Sequence, residues 1–336
     1  MKIKQVKLKA LEDTWKKMYS SNNLLFPYSS YEFASCYNKY FHLGSKRLFM
    51  KQLFFLISND DKDVAIIPLI CRKDDYYLYG DMCATGYLDI ITAGEITDDE
   101  YSKIFELIFS KIGNATLNLN KINDRSRLFH YLLKYYTEEY SSPCVNISFS
   151  NDYDTYMKSL SKSVRQNIRT AYNRIQRENR TCNLKVIINE SLPSEIINEG
   201  MKIYNKREEN RNKKKSSLVT KIIRRHFNPI TTSTLFIPNN IHALFFIDGD
   251  IAAFLSGYIT NDNKTIVVPR HAININYSSY SAGTLLITEL IRYCIDNTEI
   301  RNLDLSRGDE KYKYSLGGTT HYNHSFVLKH QREGKK

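Results

Sequence analysis

No apolar run in this 336-residue chain approaches the ~20 residues that a membrane-crossing helix needs, so a spanning segment is not expected. The opening stretch, MKIKQVKLKALEDTW, has charge but neither an apolar core nor a small-residue cleavage site, and a cytoplasmic location is the expectation. Cysteine is sparse. Cys36, Cys71, Cys83, Cys144, Cys182 and Cys294 stand far apart, with no CxxC and no His-Cys cluster, so neither a disulfide framework nor a zinc site is indicated and no metal is expected. Low-complexity tracts and long heptad arrays are missing as well. No GxxxxGK[ST], GxSxG or HExxH occurs, which argues against a P-loop NTPase, a serine hydrolase of that type and a zincin. Tryptophan is almost absent, one residue against 25 Tyr and 16 Phe, a pattern compatible with an AT-rich coding bias or with aromatic stacking on bases or sugars.

A chain of this length suits two domains of roughly 150 residues, and 42% hydrophobic with 25% charged residues describes a globular protein. The net charge of +12 asks for an anionic partner, whether CoA phosphates, tRNA, a lipid-linked polyphosphate or an anionic membrane surface.

One plan is written twice. In the second half, the apolar runs His242–Ile247 and Ile251–Ile259 are joined by Asp248-Gly249-Asp250. Asn261-Asp262-Asn263-Lys264 then leads to Thr265–Arg270, so an antiparallel meander is expected. A small-residue turn at Ser281, a helix of about 13 residues and a strand around Asp304 follow. In the first half, Gln52–Ser58, Val64–Cys71 and Tyr76–Tyr79 are strands, with a helix over Asp98–Lys111, a strand at Thr116–Asn120, a helix near Arg125–Tyr136 and a strand at Val145–Phe149. Two copies of a mixed α/β unit fit this order, with domains over 1–150 and 151–336. Between them, Leu160, Val164, Ile168, Ala171 and Ile175 make one face of a helix over Tyr156–Arg180 whose other faces carry Lys and Arg. A second helix is expected over Pro193–Glu209, then an exposed KKKSS loop and a further helix over Ser216–Phe227.

Chemistry gathers at a strand end near the C-terminus. Leu303 and Leu305 alternate with Asp304 and Ser306, and the chain then packs Arg307, Gly308, Asp309, Glu310, Lys311, Tyr312 and Lys313 together. This order, with the turn Tyr280-Ser281-Ala282-Gly283-Thr284 and the helix after it, resembles the acyl-CoA-binding half of GNAT-type N-acyltransferases. The branch it resembles is the one related to the Fem peptidoglycan transferases and the CelD/BcsL-type acetyltransferases. That branch has a pattern like S-x-x-x-R-x-N-x-R, matched by Ser161, Arg165, Asn167 and Arg169. It closes with a pattern like D-x-x-x-G-x-x-x-Y-K, matched by Asp304, Gly308, Tyr312 and Lys313. Trp15 with Pro27–Tyr40, and Gly86, Tyr87 and Asp89, match typical features of the first unit. The resemblance implies an α/β (α+β) fold with tandem GNAT-like domains, each a mixed, mostly antiparallel sheet flanked by helices; the acidic stretch Ile96-Thr97-Asp98-Asp99-Glu100 before the first unit's helix would repel phosphate, so that unit is expected to lack a donor site. It also implies an acyltransferase, in its commonest form an acetyltransferase, that moves an acyl group directly from acyl-CoA to an amine, such as an amino sugar or a cell-envelope or polysaccharide precursor.

Under that resemblance, a helix start with unpartnered N–H groups holds the donor pyrophosphate, and Ser281, Ala282, Gly283 and Thr284 are placed to do so, with Arg270 beside the acyl group. The usual Q/R-x-x-G-x-G/A is here reduced to Gly283, and an ordinary helix capped by Ser281 is the alternative. Acyl transfer needs a base for the amine and an acid for the thiolate. Asp304 and either Asp309 or Glu310 are candidates for the base and Tyr312 for the acid, and His271, also counted as catalytic, sits with Arg270 where the acyl group should lie. Asp304 is read as facing away from the core, into a cleft or into solvent, and a lone histidine is often only structural. Arg165, Arg169, Asp309 and Lys313 are candidates for substrate binding, with solvated helix charge the alternative for the two arginines. Two rival functions remain: a Fem-type peptidoglycan transferase that takes aminoacyl-tRNA, and a non-catalytic basic module that binds nucleic acid or anionic lipid.

Overall fold

The computed structural model describes residues 1–22, 26–40, 50–81, 86–211 and 238–329. The expected KKKSS loop and the helix over 216–227 lie outside the described residues. No helix among the described residues is long and apolar enough to cross a membrane. Two compact units form, one from Met1–Pro143 with the chain from His321 onward, the other from Cys144–Thr320.

The first unit contains β1 (Lys2–Val6), α1 (Glu12–Ser20), α2 (Tyr31–Tyr40), β2 (Lys51–Asn59), β3 (Lys62–Arg72), β4 (Asp75–Leu78), β5 (Ile91–Thr92), α3 (Asp98–Ile112), β6 (Thr116–Asn123) and α4 (Arg127–Tyr135). The strand β7 (Glu138–Ser148) carries the chain into the second unit. There it forms α5 (Tyr153–Ser159), α6 (Lys162–Arg177), β8 (Cys182–Ile188), α7 (Ser194–Arg211), β9 (Asn240–Ile247), β10 (Asp250–Ile259), β11 (Thr265–Ile273), α8 (Ala282–Asn297), β12 (Asn302–Arg307) and α9 (Lys311–Ser315). The last strand, β13 (Gly318–Lys329), returns to the first unit.

The doubled plan is visible in the strand orders. In the first unit the order is β1-β2-β3-β4-β6-β13, with β5 on β3, and in the second β7-β12-β11-β10-β9-β8. Each sheet is antiparallel except for one parallel pair, β4 with β6 and β11 with β12, and a helix makes each crossover. The second sheet is buried on both faces, which is why β9 and β10 read as continuous apolar runs. Ala243, Phe245 and Ile247 meet Leu286, Leu290 and Ile291 of α8 on one face, while Leu244, Phe254 and Ala272 meet Ile203 of α7 on the other.

Three expectations are corrected. The helix over 156–180 is two helices, because Ser161 leaves helical geometry and its hydroxyl accepts the Val164 N–H at 3.3 Å, starting α6 afresh. The boundary lies at 143/144 rather than 150/151. The second unit ends at Thr320 instead of running to 336, since β13 pairs with β6 from Asn323↔Asn123 to Lys329↔Thr116. Phe326 and Leu328 of β13 are fully buried in the first unit's core. Phe326→Ala is therefore expected to cost about 3–5 kcal/mol in denaturant unfolding. A loss below about 1 kcal/mol would show that the strand is not part of that core.

Candidate active site

The candidate site lies where two parallel strands part. β11 and β12 pair only at Thr265↔Asn302, Ile266↔Leu303 and Val267↔Asp304, although both strands continue. Beyond that point a polar cleft of about 120 Å³ opens, lined on one side by Arg270 and His271 and on the other by Leu305, Arg307, Glu310 and Tyr312. Tyr204 of α7 closes one wall, with the Arg270 guanidinium 5.7 Å from its ring centre.

The far wall is shaped by a curl at the end of β12. The register against β7 slips between Asp304 and Arg307, Ser306 adopts φ 54° and Gly308 φ 113°. A curl of this kind strands backbone groups that a straight strand would pair. Asp304 takes the Ser306 N–H on its Oδ1 at 2.8 Å. Lys313, 2% exposed, reaches back from α9 and donates to the carbonyls of Leu305, Ser306, Arg307 and Gly308 at 3.0, 3.2, 3.2 and 2.9 Å. Its ammonium also lies 3.0 Å from Glu310 Oε2. At Gly308 an added Cβ would lie 2.5 Å from that same carboxylate, so the tight approach of Glu310 needs glycine as much as the positive φ does.

Asp304 is thus placed differently from its expectation. It is fully buried and does not line the cleft: alternation holds, with Leu303 and Leu305 in the core against α8 and Asp304 on the opposite face, but that face is covered as well. Lys313 lines the cleft, but its ammonium is taken up by the curl's carbonyls and by Glu310. Arg165 donates to the carbonyls of Lys158 at 2.9 Å and Leu160 at 2.6 Å, closing the end of α5, so it makes no clamp with Arg169. Arg169 and Asp309 are exposed and outside the cleft. The cleft brings together His271, Arg270, Glu310, Tyr312 and Lys313 from the expected set, and the His271 and Tyr312 rings lie 5.9 Å apart at 41°. Two lining residues lie outside the expected set. Arg307 belongs to the strand-end cluster but carries no expected role, and Tyr204 sits on a helix whose aromatic residue carries no local signal.

The start of α8 adjoins this cleft through His271. A Cβ at Gly283 would stand 3.2 Å from His271 Nε2 and 2.4 Å from the end of the Ile273 side chain, so glycine is needed for β11 to pack against the helix. Ser281 has left-handed φ 50° and ψ 35°, and its hydroxyl makes no cap. Its carbonyl accepts the Thr284 and Leu285 N–H groups at 2.9 and 3.1 Å. Ala282 and Gly283 are buried, whereas Ser281 and Thr284 are half-buried. Beside this start lies a larger hollow of about 480 Å³, with Lys202, Ile203 and Lys206 of α7 facing Ile273, Ile275 and Ser278.

The equivalent places in the first unit differ. β4 and β6 also part after Tyr77↔Asn118, but Asn120 Nδ2 and Lys121 Nζ reach across to Asp81, at 3.2 Å to its Oδ2 and 2.6 Å to its carbonyl. The start of α3 is closed by a capping box in which Thr97 and Glu100 satisfy each other's N–H groups, with Asp98, Asp99 and Glu100 in its first turn.

Residues 162–314 match the family model described as acetyltransferase (GNAT) domain. The matched stretch runs from the start of α6 into α9 and holds every residue that lines the cleft. FemX is similar in structure over 98% of both chains, at 8% identity and a TM-score of 0.56. A tandem GNAT protein from the clavulanic acid biosynthesis pathway is similar over 99% of this chain and 100% of its own, at 10% identity and 0.53. A conserved protein of unknown function from Bacteroides thetaiotaomicron is similar over 97% of this chain and 99% of its own, at 15% identity and 0.56. At such identities the likeness is one of fold, and the fold is tandem GNAT-like. A comparison with curated proteins returns no match.

The curl and the sheet behind it each generate a test. Lys313→Met leaves up to four carbonyls without their donor, and a stability loss of about 3 kcal/mol or more in urea is expected. A loss under about 1 kcal/mol would mean that water replaces the ammonium. His242 of β9 is fully buried, its Nδ1 2.9 Å from Ser256 Oγ, and burial pushes its pKa down from the usual 6.5 to about 4. The folded state keeps it neutral while the unfolded chain protonates below about pH 6.5. Its contribution is therefore complete above pH 6.5 and falls by about 3 kcal/mol as the pH drops to 4. His242→Asn should flatten that part of the stability–pH curve, and an unchanged slope would contradict the assignment.

Proposed function

We propose that the chain is an N-acyltransferase that passes an acyl group directly from acyl-CoA to an amine, with the reaction in the cleft between β11 and β12. The observation that carries this reading is the parting of the second unit's parallel strand pair, β11 with β12, over a cleft that holds both proton-transferring and cationic side chains. The donor supplies a thioester carbonyl open to attack. Ser281 and Thr284, the accessible residues of the α8 start, hold its pyrophosphate, and the apolar hollow with Lys202 and Lys206 receives its flexible arm. Ala282 and Gly283 serve the packing that brings the helix start close to His271 rather than contacting the donor themselves.

Within the cleft, Glu310 or His271 takes the proton from the attacking amine, and the Tyr312 hydroxyl gives one to the departing sulfur. A C–N bond forms as the C–S bond breaks, and the proton lost by nitrogen is balanced by the one gained by the thiol. Asp304 positions the curl and transfers no proton. The first unit is assigned no donor because its helix start is closed by Glu100 and its strand gap is bridged to Asp81. A cytoplasmic enzyme of the CelD/BcsL type, acting on an amino sugar or an envelope or polysaccharide precursor, is the finer reading, supported by the pattern Asp304, Gly308, Tyr312 and Lys313.

One observation favours aminoacyl-tRNA as a second donor: Lys162, Arg169 and Arg177 leave the basic side of α6 exposed. Calorimetry with acetyl-CoA at low salt, together with thiol-release rates, separates the two. Binding of acetyl-CoA is expected, with Tyr312→Phe lowering kcat about 10²-fold at an unchanged donor Kd. No binding by the folded protein would refute the acyl-CoA reading. An activity that requires charged tRNA and falls ~10³-fold between 50 and 200 mM salt would put the RNA-borne donor in its place.

A further inference from the structure

The cleft has more positive charge than the protein itself neutralises. Of its four charged lining residues, Lys313 and Glu310 pair with each other at 3.0 Å. Arg270 and Arg307 have no carboxylate partner among the described residues. The Nε of Arg270 is buried and has no hydrogen-bond partner there, and its Nη1 reaches only the carbonyl of the adjacent Pro269 at 3.3 Å. Across β10 and β9 the register neighbours of Arg270 carry no negative charge. Its neighbour across β10 is Ser256, and the neighbour beyond that on β9 is His242. Tyr204 presents an aromatic face instead of a charge. A buried guanidinium N–H with no acceptor is costly to leave unmade, and a planar fork of such donors suits a carboxylate or a phosphate.

We propose that the acceptor amine carries an anionic group, a carboxylate or a phosphate, which Arg270 and Arg307 hold in the cleft while the amine meets the donor carbonyl. This deepens the acyltransferase reading and rests on it. Arg270 approaches from β11 and Arg307 from β12, so the anion bridges the two parted strands. Glu310, one turn of chain from Arg307, stays free of it because its charge is engaged by Lys313. The substrate class is then an amine with an acidic group, such as an amino acid or an amine-bearing phosphate ester, and neutral amines are disfavoured.

The test uses matched pairs of acceptors with saturating acetyl-CoA: β-alanine against β-alaninamide, and phosphoethanolamine against ethanolamine. Turnover is followed by thiol release and binding by calorimetry in the presence of CoA. At least one anionic member is expected to exceed its uncharged partner tenfold or more in kcat/KM, and in affinity where turnover is slow. The pair that shows this difference identifies carboxylate or phosphate as the anion. Arg270→Gln and the exposed Arg307→Gln should each erase most of that preference through KM, with the melting temperature and the Kd of CoA unchanged. Equal use or equal binding of charged and uncharged partners would overturn the proposal while CoA binding upheld the donor reading. Variants that weaken CoA binding and leave acceptor KM alone would also overturn it, by assigning the arginines to the donor. Failure of CoA to bind at all would fall on the acyltransferase reading instead, and the binding preference among the acceptors would still decide for or against an anion site.

Discussion

One buried ammonium organises the candidate site. Lys313 draws four successive carbonyls of the β12 end and the Glu310 carboxylate toward a single point, and α9 hangs from that point. Without such a donor the curl would expose its carbonyls to a dry interior or straighten into the sheet. A straight continuation would re-pair with β11 and abolish the cleft. The same curl turns Arg307, Glu310 and Tyr312 to one side and brings them opposite Arg270 and His271. Asp304 complements Lys313 by accepting the N–H of Ser306, so one carboxylate and one ammonium together satisfy backbone groups from Leu305 to Gly308.

The two units show how one plan yields different outcomes. Both contain a parallel strand pair joined by a helical crossover, and in both the pair separates after three residues. In the first unit Asn120, Lys121 and Asp81 bridge the gap and Glu100 occupies the helix start. In the second, the gap is kept open by the curl and the helix start has no side-chain cap. A few polar side chains, rather than a change of fold, separate a closed unit from an open one.

Much of this architecture was legible in the residues, because turn chemistry and apolar periodicity are local properties. The meander from His242 to Arg270, the small-residue turn before α8 and the cluster from Gly308 to Lys313 were all visible in this way. What escaped depends on partners far away in sequence. β13 pairs with β6 roughly two hundred residues earlier, and nothing near Phe326 announces that return. Arg165 was read as a ligand clamp because its pattern position is typical, whereas its guanidinium finds carbonyls five and seven residues back. Asp304 lies on the face opposite Leu303 and Leu305, where alternation places it, but that face is covered rather than open, which one strand's own pattern does not reveal. Arg307 and Tyr204 became site residues through the curl and through helix packing, neither of which has a short-range signature.

The most direct measurement is a crystal structure of the protein grown with CoA. The account predicts electron density for the ligand in the opening between β11 and β12, its sulfur within reach of the Tyr312 hydroxyl and its pyrophosphate against Ser281 and Thr284. Density bound elsewhere on the molecule, or a cleft that closes with Lys313 released from its carbonyls, would contradict it.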